Sequence, residues 1–201
     1  MDAEFWNERY RDNARVWSGA PNSQLVAEVT GLTPGRALDA GCGEGADALW
    51  LAARGWTVTA VDFAQSALDK GAEEAEVHCL DIDWQCRDLV TWQPAQEYDL
   101  VSAQFFHLEP ELRDRAFGNL AAAVVPGGQL LIVGHHREDL VTHTGHERHG
   151  PMLFDPDDVT VLLDELTWDL QVAEARPRTV KTPEGEPFTN TDTVVRARRR
   201  Q

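Results

Sequence analysis

The sequence predicts an α/β fold: a mostly parallel sheet with helices on both faces, finished at one edge by an antiparallel pair. Three features predict it. Short apolar or β-branched runs alternate with helical segments from residue 36 to residue 133, and parallel strands need such crossovers. A glycine-rich turn, Gly41-Cys42-Gly43-Glu44-Gly45, joins the first of those strands to its helix. The tail then changes pattern, with two strand-like runs separated by a Pro/Gly/Thr-rich link that reads as a hairpin.

In chain order, Phe5 to Asp12 is a short helix with Trp6, Arg9 and Tyr10 near one face. Trp17-Ser18-Gly19-Ala20-Pro21 is turn chemistry, and Asn22 can cap a second helix that runs to about Val29 and stops at Gly31, Pro34 and Gly35. Arg36 to Asp39 is a strand, Ala46 to Ala53 an alanine-rich helix closed by Gly55, and Thr57 to Val61 a β-branched strand. Ala64 to Ala75 is helical by composition, and a strand follows near Trp84 to Arg87. Tyr98 to Ala103 is a strand, Glu111 to Val125 an amphipathic helix stopped by Pro126-Gly127-Gly128, and Gln129 to Val133 the next strand. Asp155 to Leu166 is expected to be one more helix, before strands at Trp168 to Ala175 and Thr193 to Arg198.

A chain of 201 residues with 42% hydrophobic and 26% charged residues suits one globular domain. Its formal charge is −16, which would be repelled by phosphate backbones and anionic lipids, so neither nucleic acid nor membrane is the expected partner. The basic run Arg196, Arg198, Arg199, Arg200 reads as a strand end and solvated tail. Cys42, Cys79 and Cys86 form no CxxC pair and no even-numbered framework, which suits a reducing compartment. The acidic opening Met1-Asp2-Ala3-Glu4 lacks an apolar segment, so no signal peptide is expected. No stretch approaches the roughly 18 apolar residues of a membrane span, and a cytoplasmic protein is expected.

The glycine turn lets the backbone bend sharply and lets a ligand approach without meeting a Cβ. Gly41, Gly43 and Ala46 alone would also satisfy a dinucleotide-binding fingerprint. Two acids sharpen the reading. Asp62 ends the next strand, where a carboxylate can accept hydrogen bonds from ribose hydroxyls. Asp39 ends the first strand beside the turn, where it would repel a pyrophosphate and attract an ammonium or sulfonium. Alternatively, Asp39 only stabilises the turn or the start of the helix.

Leu38-Asp39-Ala40-Gly41-Cys42-Gly43-Glu44-Gly45 resembles the first motif of class I S-adenosylmethionine-dependent methyltransferases, and Ala60-Val61-Asp62-Phe63 resembles their second. Asp88-Leu89 is similar to the third, where an acidic side chain meets the adenine amino group and the next backbone N–H meets a ring nitrogen. Tyr98-Asp99-Leu100-Val101 and Pro126-Gly127-Gly128 resemble the fourth strand and the turn before the fifth. The resemblance implies a Rossmann-like sheet of seven strands with a reversed last strand, and a single domain that transfers a methyl group from S-adenosylmethionine to a small molecule. The segment Phe5-Trp6-Asn7-Glu8-Arg9-Tyr10 and the Trp17-Ser18-Gly19 turn resemble the lid of the branch with tellurite-resistance, thiopurine and thiol or halide methyltransferases, which makes residues 1–30 a helical lid. It implies cofactor contacts at Trp17, Asp39, Gly41, Cys42, Gly43, Asp62, Phe63, Asp88, Leu89 and Gln104.

Methyl transfer from a sulfonium is an in-line displacement with a neutral leaving group, so orientation and exclusion of water carry most of it. A base is needed only for a protonated acceptor. His107, just beyond the strand end at Gln104-Phe105-Phe106, is the candidate for that work, or else a packing histidine beside Pro110. Trp6, Tyr10 and Trp17 could close over a sulfonium with their π-faces, or simply dock an amphipathic helix on the core. Cys42 reads as a small tolerated residue more readily than as a reactive one. His135, His136, His143, His146 and His149 crowd residues 135–153, a loop expected near the pocket; without a fixed scaffold they are not taken as a metal site. Two other functions compete: a nicotinamide-dependent oxidoreductase using Gly41, Gly43, Ala46 and Asp62, and a non-catalytic S-adenosylmethionine-binding module.

Overall fold

The computed structural model describes residues 3–139, 147–181 and 186–201. In chain order these residues form α1 (Ala3–Asp12), α2 (Ser23–Val29), β1 (Arg36–Ala40), α3 (Ala46–Ala52), β2 (Thr57–Asp62), α4 (Gln65–Val77), β3 (Ile82–Cys86) and β4 (Tyr98–Gln104). There follow α5 (Pro110–Ala122), β5 (Val124–His135), a 3₁₀ turn at Glu147–Met152, α6 (Pro156–Thr160), β6 (Trp168–Lys181) and β7 (Pro187–Arg199). The seven strands make one sheet in the order β3-β2-β1-β4-β5-β7-β6. Its first five strands pair in parallel, and β7 runs antiparallel between β5 and β6. This is the Rossmann-like sheet expected of the sequence.

Both faces of the sheet are apolar, as a sheet covered on two sides requires. Leu38, Ala40, Val101, Ala103, Leu130 and Ile132 pack with Phe117 and Leu120 of α5 and Val159 of α6. The alternate residues Ala37, Val58, Ala60, Leu100, Leu131 and Val133 pack with Leu25 and Val29 of α2 and Ala48 and Leu51 of α3. A third, smaller cluster seats α1 at the sheet's carboxyl end: Tyr10 packs on Ala64, the residue before α4, and on Ala67 within it. Asn7 adds polar ties there, its side chain accepting from the Ser66 N–H and its carbonyl from the Ser66 hydroxyl. Asn22 caps α2, accepting from the Gln24 N–H at 2.8 Å.

Four boundaries differ from the sequence reading, each for a local reason. The helix expected over Asp155 to Leu166 is only the one-turn α6. Its capping box, Asp155 with Asp158, starts it well, but Val159-Thr160-Val161 is a β-branched run of poor helix propensity. Beyond it Leu162 and Leu163 close three-residue turns to Val159 and Thr160. The helix α5 ends at Ala122, because Val124 already pairs with Tyr98. Pro126-Gly127-Gly128 therefore lies inside β5 as an irregularity in that pairing, with Gly127 at φ +84°. Finally, β6 and β7 run well past Ala175 and Thr193, to Lys181 opposite Pro187. Pro177 does not stop the ladder because β6 is the edge strand, where a missing N–H costs no hydrogen bond on its open side.

Candidate active site

The chain leaves β1 for β2 and β3 on one side, then returns to β4 and β5 on the other, so the strand order reverses between β1 and β4. In an open α/β sheet the crevice outside the carboxyl ends at such a reversal is where ligands bind. Here that crevice opens into a cleft of about 1630 Å³, bordered by the loops after β1, β2, β3, β4 and β5, by α1 and by the hairpin of β6 and β7. It is larger than the roughly 300–1,000 Å³ of a pocket for one small ligand. All eleven residues singled out in the sequence, from Trp17 to His107, border it.

The floor is the bend after β1. Gly43 has φ +52°, and a Cβ there would stand 3.0 Å from the Tyr10 hydroxyl; at Gly41, with φ +74°, it would stand 2.9 Å from the Phe106 ring. The Asp62 carboxylate braces this bend, Oδ2 accepting from the Gly43 N–H at 3.0 Å and Oδ1 from the Ala64 N–H at 2.9 Å. Asp39 is 2% exposed, and its Oδ2 has no hydrogen-bond partner. Burial first, then the neighbouring Asp47 and Asp62, raise its carboxyl well above the usual range, against a backbone hydrogen bond from Ala48. Burial also pushes Asp47 up to about 6, although it accepts from the Asn22 N–H at 2.6 Å, and raises Asp62.

Three carboxyls, Asp39 and Asp62 buried and Asp47 half-buried, around a bend without side chains form a site that favours a positive charge. Asp47 was not singled out in the sequence. An acid in the first turn of α3 reads there as a dipole-complementing residue, and only the fold brings it to Asp39. Cys42 shares the pocket. Burial, then Asp39 and Asp62, raise its thiol, which holds it protonated and unreactive.

A cover lies over the bend. The Trp17 indole N–H donates to the Tyr10 hydroxyl at 3.0 Å, directly above Gly43. Trp6 and Trp17 lie 6.2 Å apart, and the Arg9 guanidinium stands over both rings. Glu44 anchors the cover from below: its carboxylate accepts from the Val16 and Trp17 N–H groups and pairs with Lys70 at 3.2 Å. Lys70 in turn donates to the carbonyls of Asn13 and Ala14. Trp17 remains 51% exposed. Along the far wall, half-buried Phe63 packs with α1, Asp88 is exposed and accepts from the Val90 N–H, and Leu89 buries its side chain in the core.

On the side of β4 and β5 the walls are aromatic. Phe105 holds φ +53°, an unusual conformation for a bulky residue. Gln104 donates to the Ser102 hydroxyl at 2.8 Å and leaves Oε1 buried without a hydrogen-bond partner. The His107 ring stacks parallel on that of His135, 5.1 Å between centroids, and its Nε2 accepts from the His135 backbone N–H at 3.1 Å. That nitrogen is therefore not free to take a proton from a ligand. His136 contacts Asp155, while His143 and His146 lie outside the described residues. Among the described residues no group of three or more metal-ligating side chains forms.

Residues 37–128, the stretch that builds the glycine bend and both neighbouring acids, match the methyltransferase-domain family. That stretch is similar to a methyltransferase domain. The chain is 35% identical over 95 residues to a ubiquinone biosynthesis O-methyltransferase of Coxiella burnetii, a match that covers 47% of the chain and 41% of that relative. Thiocyanate methyltransferase 1 of Arabidopsis thaliana is 24% identical over 192 residues, covering 90% of the chain and 80% of the relative. The fold is close to that of TehB from Haemophilus influenzae, with a TM-score of 0.74 at 18% identity over 99% of this chain and 67% of that one. It is equally close to NodS, an N-methyltransferase of Bradyrhizobium japonicum solved with S-adenosyl-L-homocysteine, with a TM-score of 0.76 at 16% identity over 100% of both chains. Among the described residues, no helix of the domain is long and apolar enough to cross a membrane.

Proposed function

We propose that this domain binds S-adenosylmethionine in the cleft and transfers its methyl group to a small-molecule acceptor. The observation that carries the reading is the cluster of Asp39, Asp47 and Asp62 around the glycine bend. A pyrophosphate would add negative charge beside two buried carboxyls and the half-buried Asp47, whereas an α-ammonium beside Asp39 Oδ2 would satisfy the orphaned oxygen and lower the cost of ionising all three. This disfavours a nicotinamide dinucleotide. In this reading Asp62 accepts from the ribose hydroxyls on lone pairs that Gly43 and Ala64 leave open, and Gly41, Cys42 and Gly43 present backbone to the ligand. Asp88, Phe63 and the Leu89 N–H border the adenine, and Gln104 Oε1 meets the methionine end.

Bound there, the cofactor supplies a methyl carbon on a sulfonium. The chain supplies the rest. Trp17 and Tyr10, carried by the N-terminal lid segment, cover the donor and exclude water, and His135, Met152 and Leu153, on the described parts of residues 135–153, border the acceptor. His107, with Nε2 engaged by the backbone, carries its proton on Nδ1 when neutral and acts by orienting the acceptor. The domain is read as a cytoplasmic enzyme acting on a small molecule and not on nucleic acid, supported by its charge of −16 and three unpaired cysteines. Calorimetry with S-adenosylhomocysteine and NADH, followed by a screen for S-adenosylhomocysteine release across thiols, phenols, thiocyanate and selenide, tests it. Heat from NADH alone would overturn the assignment. Tight binding with no release from any acceptor would leave a binding module in place of an enzyme.

A further inference from the structure

We infer that Asn190 of β7 positions the methyl acceptor, and that this acceptor is a flat ring carrying an O–H or N–H group apart from the atom that is methylated. The inference rests on the methyl-transfer reading above and deepens it by naming the acceptor's chemistry. Asn190 borders the cleft and is 6% exposed, yet its Oδ1 is buried without a hydrogen-bond partner. An amide oxygen left unpaired in this way costs the free protein stability, and a bound O–H or N–H would remove that cost. The cation opposite is committed elsewhere. Arg178 pairs directly across the ladder from Asn190, so both side chains leave the same face of the sheet. Its Nε and Nη2 donate to the fully buried Asp192 at 2.8 and 3.1 Å, and its guanidinium lies over the Phe105 ring. Turning it to the amide would strip a buried carboxylate of its partner. The Asn190 amide itself turns readily about χ2, which can bring its oxygen to a ligand in the cleft.

The sheet order gives this oxygen to the acceptor and not to the cofactor. Asp39 Oδ2 and Gln104 Oε1, which the reading above assigns to the cofactor's methionine end, stand on β1 and β4. The strand that carries Asn190 lies two places beyond β4, roughly 10 Å away at the usual strand spacing. One substituted ring can bridge that gap, with its reacting atom at the methyl group and its O–H or N–H at Asn190. Phe105 and Phe106, just past β4, and Phe188 on β7 border the same cleft and offer aromatic faces to such a ring. A bare anion such as thiocyanate has no hydrogen to give, and an unpaired carbonyl oxygen repels it.

The test compares wild type, Asn190→Leu and Asn190→Asp, each saturated with S-adenosylhomocysteine, in calorimetric titrations with para-hydroxythiophenol, para-aminothiophenol, thiophenol and thiocyanate. Wild type should bind the hydroxylated or aminated ring about tenfold or more tightly than thiophenol, and thiocyanate more weakly still. Asn190→Leu should bring the rings within twofold of one another while its affinity for S-adenosylhomocysteine stays within twofold of wild type. Asn190→Asp, which keeps accepting oxygens and has no N–H to give, should retain the preference. Equal binding of the rings by wild type, no binding of any, or a preference that survives Asn190→Leu would overturn the inference. So would a preference lost in Asn190→Asp. Without ligand, Asn190→Leu should melt no lower than wild type, because an apolar side chain of similar size replaces an unpaired amide. A clear drop in melting temperature would make the amide a structural contact and overturn the inference. A wild type that does not bind S-adenosylhomocysteine would overturn the methyl-transfer reading, and this inference with it.

Discussion

Asp62 does two things, and a substitution has to separate them. Its oxygens brace the backbone at Gly43 and Ala64, and they face the cleft where a ribose would lie. Asp62→Ala should weaken S-adenosylhomocysteine binding by about 1–3 kcal/mol through lost charge-assisted hydrogen bonds, read by calorimetry. It should also lower the melting temperature, because two backbone N–H groups lose their acceptor. Unchanged affinity in a folded variant would remove the ribose assignment. Gly43→Val meets two obstacles together, a φ of +52° and a Tyr10 hydroxyl 3.0 Å from the new Cβ. Binding should fall below detection in that variant, and a folded Gly43→Val protein with normal affinity would show that the bend is not the binding floor.

At the scale of elements, the cover is held by one carboxylate. Glu44 belongs to the glycine bend yet accepts from the N–H groups of Val16 and Trp17, so the turn that would bind the ligand also fastens the segment that would close over it. Glu44→Gln keeps the shape, loses the charge and the pairing with Lys70, and should weaken S-adenosylhomocysteine binding about tenfold, mainly through faster release. Stopped-flow tryptophan fluorescence can follow this through Trp17, half exposed in the free protein. Release rates equal to wild type would mean that the cover does not gate the site. The β6–β7 hairpin is the other element that borders the cleft. It places Arg178 over the Phe105 ring and ties α2 to the sheet through Gln24 and Asp192, and so builds one wall of the cleft from a part of the chain far from the glycine motif.

For the whole molecule, the buried acids link binding to pH. Burial raises Asp39, Asp62 and Asp47, the last to about 6 from an ordinary value of 3.8. A folded state that holds these protons more tightly than the unfolded chain is most favoured below about pH 4, and loses that advantage as pH rises through the folded values. The free protein should therefore lose stability between about pH 4 and pH 7 from these groups. A cationic ligand reverses the balance, because it favours the ionised carboxyls. Affinity for S-adenosylhomocysteine should rise across the same interval with net proton release, seen as a dependence of binding heat on the buffer's ionisation enthalpy. Binding without proton release at pH 6 would show that the acids are not the ligand's counter-charge.

The sequence by itself determined the alternation of strands and helices, the reversed tail and the pocket floor from Asp39 to Asp62, because period, glycine position and strand-end acids are local patterns. It also placed Asp88, Gln104 and His107 at the correct strand ends. What it missed was non-local. Asp47 reads as an ordinary helix-start acid until α3 sets it beside Asp39, and Glu44 as a turn residue until the N-terminal segment folds onto it. The sequence pointed to His107 as the base, since it follows β4 directly. Only the assembled sheet shows its Nε2 taken by the backbone N–H of His135 in β5. Proton affinity and hydrogen-bond occupancy depend on what burial and neighbours across the fold impose on a side chain, and no spacing along the chain records that.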